Sequence, residues 1–152
     1  MPREPFLLTL RELARCYQAF ELFSAAHVRE LGLTLPQFDI IATLGNTPGM
    51  TFKELGEKTL ITKGTLTGVV DRLEEKGLVQ RVASETDRRS VIVRLTAAGE
   101  RTFRDAFPAH AAYLKTAFDR LTPNQLAQTV QVLGRLRAAF ENAQQGGNDK
   151  KP

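Results

Sequence analysis

Residues 62–95 read TKGTLTGVVDRLEEKGLVQRVASETDRRSVIVRL, a helical pattern that stops at a glycine and gives way to two β-branched runs. Leu66, Val69, Val70 and Leu73 recur at i, i+3, i+4 and i+7, which predicts one apolar stripe along a helix. Thr62 can cap the start of that helix, and Gly77 supplies a left-handed stop. Its opposite face carries Lys63, Thr65, Thr67, Gly68, Asp71 and Arg72, short near the N-terminus, so the backbone can approach another surface closely. LVQRVA at 78–83 and SVIVRL at 90–95 then read as a β-hairpin around the SETDRR loop. Val91, Val93 and Leu95 fall on one face of the second strand, and Ile92 and Arg94 on the other.

Immediately upstream, Thr51 and Glu54 form a T-x-x-E capping box that predicts a helix over about residues 52–58. Two helices joined by a short turn, the second with one apolar stripe and one small polar face, define a helix-turn-helix whose second helix enters a DNA major groove. In that setting the hairpin tip acquires a purpose. An arginine projecting beside a groove-reading helix can reach the minor groove, whose negative potential attracts it, while others hold phosphates. Asp87 is placed to pair with a neighbouring arginine and fix its direction. Arg81 and Arg94 either touch phosphate or pair with the hairpin's own acidic groups, two equal alternatives on sequence alone. A DRR tripeptide by itself is an ordinary solvated turn; behind a helix-turn-helix it is not. Residues 78–95 hold Arg81, Arg88, Arg89 and Arg94 against Glu85 and Asp87, so the local charge favours a polyanion more clearly than the whole chain's +4.

Outside this stretch the pattern is helical. A first helix is expected over about residues 7–31, ended by Gly32, and a T-x-x-Q box at Thr34 and Gln37 opens a short second one carrying Phe38, Ile41 and Leu44. Thr96 caps a long helix with Phe103, Phe107, His110, Leu114 and Leu121 near one face, in which Pro108 should produce a kink or a break. Thr122, Pro123 and Gln125 start the last helix, and AQQGGNDKKP reads as a frayed tail. The fold class is therefore mainly α with a small β-hairpin wing: an N-terminal dimerisation arm (1–33), a winged helix-turn-helix (34–95), C-terminal dimerisation helices (96–142) and a flexible tail (143–152). The first, fifth and sixth helices carry more apolar surface than one small winged domain needs, which favours burial against a second copy.

The run TFKELGEKTLITKGTLTGVVDRLEEKGLVQRVASETDRRSVIVRLTAAGE resembles the winged helix-turn-helix core of the MarR family of bacterial transcription regulators. L-x-x-K-G-L-V-x-R, then D-R-R, then L-T-x-x-G is a specific combination, and the likeness spans about residues 34–105. The resemblance implies a homodimer on a pseudo-palindromic double-stranded DNA operator. Carried onto this chain, the recognition-helix contacts fall on Thr62, Lys63, Thr65, Thr67 and Arg72. The wing contacts fall on Asp87, Arg88 and Arg89, with Arg89 as the minor-groove residue and Asp87 orienting it. The resemblance also implies release of DNA by a small aromatic acid or phenolic effector, or, in some branches, oxidant sensing through a cysteine in the first helix.

Other classes of function find less support. No glycine-rich phosphate loop is present, and the candidate nucleophiles and bases form no constellation by sequence, so no enzyme is expected. A single cysteine, Cys16, leaves no intrachain disulfide and suits a reducing, cytoplasmic setting; with His27 and His110 it makes no metal spacing, and no cofactor is expected. No long apolar run suggests a membrane span. Cys16 reads first as a small buried hydrophobe and second as an oxidant sensor. Arg15, Tyr17, Phe20 and His27 could receive a carboxylate-bearing effector, although packing and solvation account for each as well. A winged helix that binds protein instead of DNA is the remaining rival.

Overall fold

The computed structural model describes residues 4–59 and 63–148, and of residues 63 and 64 the backbone alone. The elements in chain order are α1 (Pro5–Glu30), α2 (Leu35–Leu44), β1 (Met50–Thr51), α3 (Phe52–Lys58), α4 (Lys63–Glu75), β2 (Val79–Ala83), β3 (Val91–Leu95), α5 (Ala97–Phe118) and α6 (Pro123–Asn148). The chain divides into two compact units, one up to Ala112 and one from Tyr113 onward.

The first unit is built on the stripe read from the sequence. Leu66, Val70 and Leu73 of α4 are buried with Ile40, Ile41 and Leu44 of α2, Leu55 of α3 and Val79 and Val93 of the sheet, while Val28 and Ala106 bring α1 and α5 into the same cluster. Local signals fix the ends of these helices. At α2 both halves of the box form: Thr34 Oγ1 accepts from the Gln37 amide at 3.3 Å and Gln37 Oε1 from the Thr34 amide at 3.1 Å. At α3 the Thr51 hydroxyl accepts from the Glu54 amide at 3.1 Å.

The wing differs from the expected two-stranded hairpin. Met50–Thr51 adds a third antiparallel strand in the order β1-β3-β2, with Met50 opposite Val93 and Thr51 opposite Ile92. A two-residue strand is too short for alternation to reveal it. Gly49 permits it: at φ 111° a side chain would be strained, and its Cβ would press on Ile92 Cγ2 at 2.6 Å.

The corner after α4 is the tightest joint in the unit. Gly77 adopts φ 72°, and the Leu78 amide returns to the Leu73 carbonyl at 3.0 Å, closing α4 with a left-handed cap. Thr96, the cap of α5, donates its hydroxyl to the Gly77 carbonyl at 2.6 Å and its amide to the Leu78 carbonyl at 3.1 Å. The same hydroxyl accepts from the Gly99 amide at 3.1 Å. A Cβ on Gly99 would collide with the Leu78 carbonyl oxygen.

Of the kink and the break expected at Pro108, the break does not occur; α5 runs through it, with Pro108 and Arg104 both exposed, so water can take up the carbonyl that the proline leaves without a donor. Nor does the last helix stop near residue 142. In the second unit the Thr122 and Gln125 side chains form a reciprocal cap, and α6 continues through Gly146 and Gly147 to Asn148. Once a helix is nucleated each added residue gains a hydrogen bond, which here outweighs the roughly 1 kcal/mol that each glycine costs.

The two exposed-face and corner glycines should respond oppositely to alanine. In urea denaturation at fixed protein concentration, Gly99→Ala should lose about 1–3 kcal/mol through overpacking. Gly68→Ala, whose Cβ meets nothing within 4 Å, should gain about 0.5–1 kcal/mol of helix propensity.

Candidate nucleic-acid interface

Burying Leu66, Val70 and Leu73 turns the other side of α4 outward. Thr65, Thr67, Gly68, Asp71 and Arg72 are all exposed there. Lys63 begins the helix, its side chain lying outside the described residues, as does the whole of Thr62. A glycine in mid-helix with open space around it is not explained by internal packing.

At the wing tip, the SETDRRS stretch is wrapped by its own short side chains. Ser84 Oγ accepts from the amides of Thr86 and Asp87, each at 3.3 Å. The Ser90 amide donates to the Asp87 carbonyl at 3.0 Å, which closes a four-residue turn with Arg88 and Arg89 at its two central positions. Asp87 suits the first position because its carboxylate accepts from the Arg89 amide at 3.0 Å and from Ser90 Oγ at 3.1 Å. Thus Asp87 holds the backbone of Arg89 and not its guanidinium. Among the described residues neither Arg88 nor Arg89 pairs with a carboxylate.

Arg81 and Arg94 are engaged within the fold. Arg81 Nη1 donates to Glu74 Oε1 at 2.8 Å, Nη2 donates to Asp71 Oδ1, and its own amide donates to Glu74 Oε2 at 3.3 Å. The guanidinium also lies 5.5 Å from the Phe52 ring centroid. The carboxylates that hold Arg81 therefore come from α4 and not from the hairpin, and one side chain joins β2, α4 and the start of α3. Arg94 stands opposite Gln80, whose Oε1 accepts from Nε at 2.9 Å and Nη2 at 3.2 Å.

The residues considered for an effector do not converge. At about 100° per residue, Arg15 leaves α1 roughly opposite Tyr17 and Phe20. Arg15 and Tyr17 are exposed, and Phe20 is half-buried. Cys16 is exposed on the stripe that continues to Phe20 and His27, so it is not the small buried hydrophobe expected.

His27 belongs to a network that sequence reasoning missed, because His110 lies 83 positions from His27 and 86 from Ser24. His110 Nε2 is 2.9 Å from Ser24 Oγ, and His110 Nδ1 is 2.9 Å from His27 Nδ1. The two imidazoles stack with centroids 5.2 Å apart, and Phe38 meets His110 edge-on at 4.5 Å. The chain Ser24–His110–His27 has the distances of an activated nucleophile. Its burial is that of a structural network, with Ser24 1% and His110 2% exposed. Burial, and secondarily the neighbouring His27, push the His110 pKa down.

An exposed groove-sized helix face beside a hairpin that carries two unpaired arginines defines a winged helix-turn-helix of the DNA-binding kind. Comparison with known proteins agrees. The MarR family model matches residues 33–91. The transcriptional regulator MhqR of Bacillus subtilis (strain 168) is 31% identical over 124 residues, covering 82% of this chain and 86% of that protein. The Streptomyces coelicolor MarR regulator Sco3205, solved in complex with DNA, superposes with a TM-score of 0.78 at 26% identity, covering 88% of this chain and 86% of that one. The Mycobacterium tuberculosis MarR protein Rv2887, solved with p-aminosalicylic acid, gives 0.63 at 29%, covering 83% and 95%. The chain belongs to the MarR family and is a DNA-binding transcriptional regulator. Among the described residues no helix is long and apolar enough to cross a membrane, and no group of three or more His, Cys, Asp or Glu could hold a metal ion.

A double-mutant cycle of Arg81→Met with Asp71→Asn should return a coupling of about 0.5–1.5 kcal/mol, discounted for the partial exposure of both side chains. Stability should also fall in acid. The folded chain holds His110 below the ordinary histidine value, so below about pH 6.5 the unfolded chain binds more protons and the free energy of unfolding declines. Replacing His110 with Gln should flatten that decline in urea titrations run across the same pH range.

Proposed function

We propose that this regulator is a homodimeric repressor that holds a pseudo-palindromic operator and leaves it when a small aromatic or phenolic acid binds. The observation that carries the DNA contact is the turn at Asp87–Ser90, which spends its acidic residue on backbone and leaves Arg88 and Arg89 exposed. In this reading Arg89 enters the minor groove and Arg88 the phosphates. Thr62, Lys63, Thr65, Thr67 and Arg72 line the major groove around the bare Gly68. Arg81 and Arg94 brace the wing, with Arg81 also masking two carboxylates that would repel DNA.

The dimer reading is supported by apolar surface on the helices flanking the winged core. Phe6, Leu8 and Leu22 of α1 are 61%, 60% and 74% exposed, and Val130 of α6 is 71% exposed. Large apolar side chains left this exposed on each of the flanking helices suit burial in an interface. The effector reading is supported by the p-aminosalicylic acid complex of Rv2887, a relative over most of its length. An oxidant-sensing alternative gains from one feature, the exposure of the Cys16 thiol.

Selection of bound duplexes from a random DNA pool, repeated with aromatic carboxylates and with dilute peroxide, tests all of this together. A two-fold-symmetric site lost with an aromatic acid is the expected outcome. Loss with peroxide alone, abolished in Cys16→Ser, would transfer the sensing role to Cys16, and no enriched site at low salt would overturn operator binding. On the selected duplex, Arg89→Ala should cost about 1–3 kcal/mol per contact without loss of fold, and Lys63→Ala should reduce the salt slope by about 1. Sedimentation should report a dimer at micromolar concentration.

A further inference from the structure

Lys76 ties the end of α4 to the corner between α1 and α2, which lies 39 to 44 positions back in the chain. Its Nζ donates to the Gly32 carbonyl at 3.1 Å and to Gln37 Oε1 at 3.2 Å. We propose that Lys76 is a positioning residue for DNA recognition. Through this bridge it fixes the rotation and axial placement of α4, and so the base contacts that α4 makes, without itself touching DNA. The inference rests on the reading above in which α4 enters the major groove.

Both ends of the bridge are firm. The Lys76 amide donates to the Arg72 carbonyl at 3.1 Å, so its backbone belongs to the last turn of α4 and moves with it. Gly32, at φ 79°, stands in the left-handed stop of α1, where its amide donates to the Arg29 carbonyl at 2.9 Å and the Leu33 amide to the Val28 carbonyl at 3.2 Å. Gln37 is 5% exposed, and its Oε1 also accepts from the Thr34 amide at 3.1 Å. The capping box of α2 and the bridge therefore share one saturated acceptor. The ammonium lies at the C-terminal ends of α1 and α4 together, where both helix dipoles favour a cation. Among the described residues no carboxylate pairs with it.

The apolar stripe alone leaves α4 a freedom that the bridge removes. Leu66, Val70 and Leu73 hold α4 on the core, but apolar attraction is non-directional, and three side chains on one face oppose rotation about the helix axis only weakly. Polar contacts with fixed partners oppose it directly. Arg81 supplies them from β2, and Lys76 supplies them from the corner of α1 and α2. Base-edge hydrogen bonds need their donors placed within about half an ångström, whereas phosphates are held by long side chains that follow a small shift. Loss of the bridge therefore weakens the specific complex and spares sequence-independent binding.

The test compares full-length wild type, Lys76→Met and Lys76→Arg on the duplex selected by wild type and on a random duplex, across a series of salt concentrations. Lys76→Met should bind the selected duplex about three- to tenfold more weakly, bind the random duplex as wild type does, and keep the wild-type salt slope. Lys76→Arg, which keeps cationic N–H donors on a long stem, should restore most of the lost affinity. An equal loss on both duplexes with the salt slope reduced by about 1 would make Lys76 a phosphate contact and overturn the positioning role. Equal loss with the slope unchanged would reduce it to a stability contact, and unaltered binding to both duplexes would likewise reject it. If circular dichroism shows that Lys76→Met does not fold, Lys76→Gln, polar but too short to span the bridge, enters the same comparison. If wild type selects no duplex, the major-groove reading has failed and the role of Lys76 falls with it. A duplex selected by wild type and bound equally by the variant rejects the role of Lys76 alone.

Discussion

A recognition helix has to bury one side completely and keep the other bare, and α4 does this in thirteen residues. A helix that short is marginal alone in water, so its order derives from the packing of Leu66, Val70 and Leu73 against α2, α3 and the sheet. Every neighbouring element answers to that need. The small sheet covers the end of the stripe through Val79 and Val93. The Gly77 cap stops α4 where the stripe ends, and the return of the chain into β2 carries Arg81 back over Asp71 and Glu74.

That return has an electrostatic purpose. Of the three carboxylates in the C-terminal half of α4, Asp71 and Glu74 lie beside the returning strand, and the field of that pair opposes a polyanion unless it is compensated. Arg81 compensates both while stacking on Phe52, so the wing strand and both helices of the motif share one cation. The tip arginines, by contrast, have their backbone organised by serine and aspartate and their charge left unspent. The same residue type therefore does two jobs on one hairpin, separated by where the nearest acid lies.

Local physics was legible in the chain and remote physics was not. The boxes at Thr34 and Thr122, the left-handed Gly77, the limits of α3 and the stripe of α4 all depend on residues within a few positions of one another, and each could be read directly. Arg81 could be narrowed to two roles but not resolved, since its partners sit seven and ten positions back on a helix whose orientation was unknown. Strand β1 escaped notice because two residues carry no period. The Ser24–His110–His27 network escaped because nothing in a sequence announces that positions more than eighty apart will face each other. The tail was misread for a different reason: a glycine pair looks like a terminus, yet the cost is modest against a helix already formed.

The close approach of Gly99 to the Leu78 carbonyl has a mechanical meaning. It pins the first turn of α5 to the corner at which the recognition helix ends, with Thr96 bonded to both sides of the joint. His110 lies eleven residues further along the same rod, about 16 Å at the α-helical rise. The corner is thus a fulcrum and the imidazole the end of a lever arm. On such a rod a displacement of about 3 Å at His110, one hydrogen-bond length, is a tilt of about 10° at the joint. A displacement that breaks one bond at the far end thus corresponds to only a small rotation at the joint.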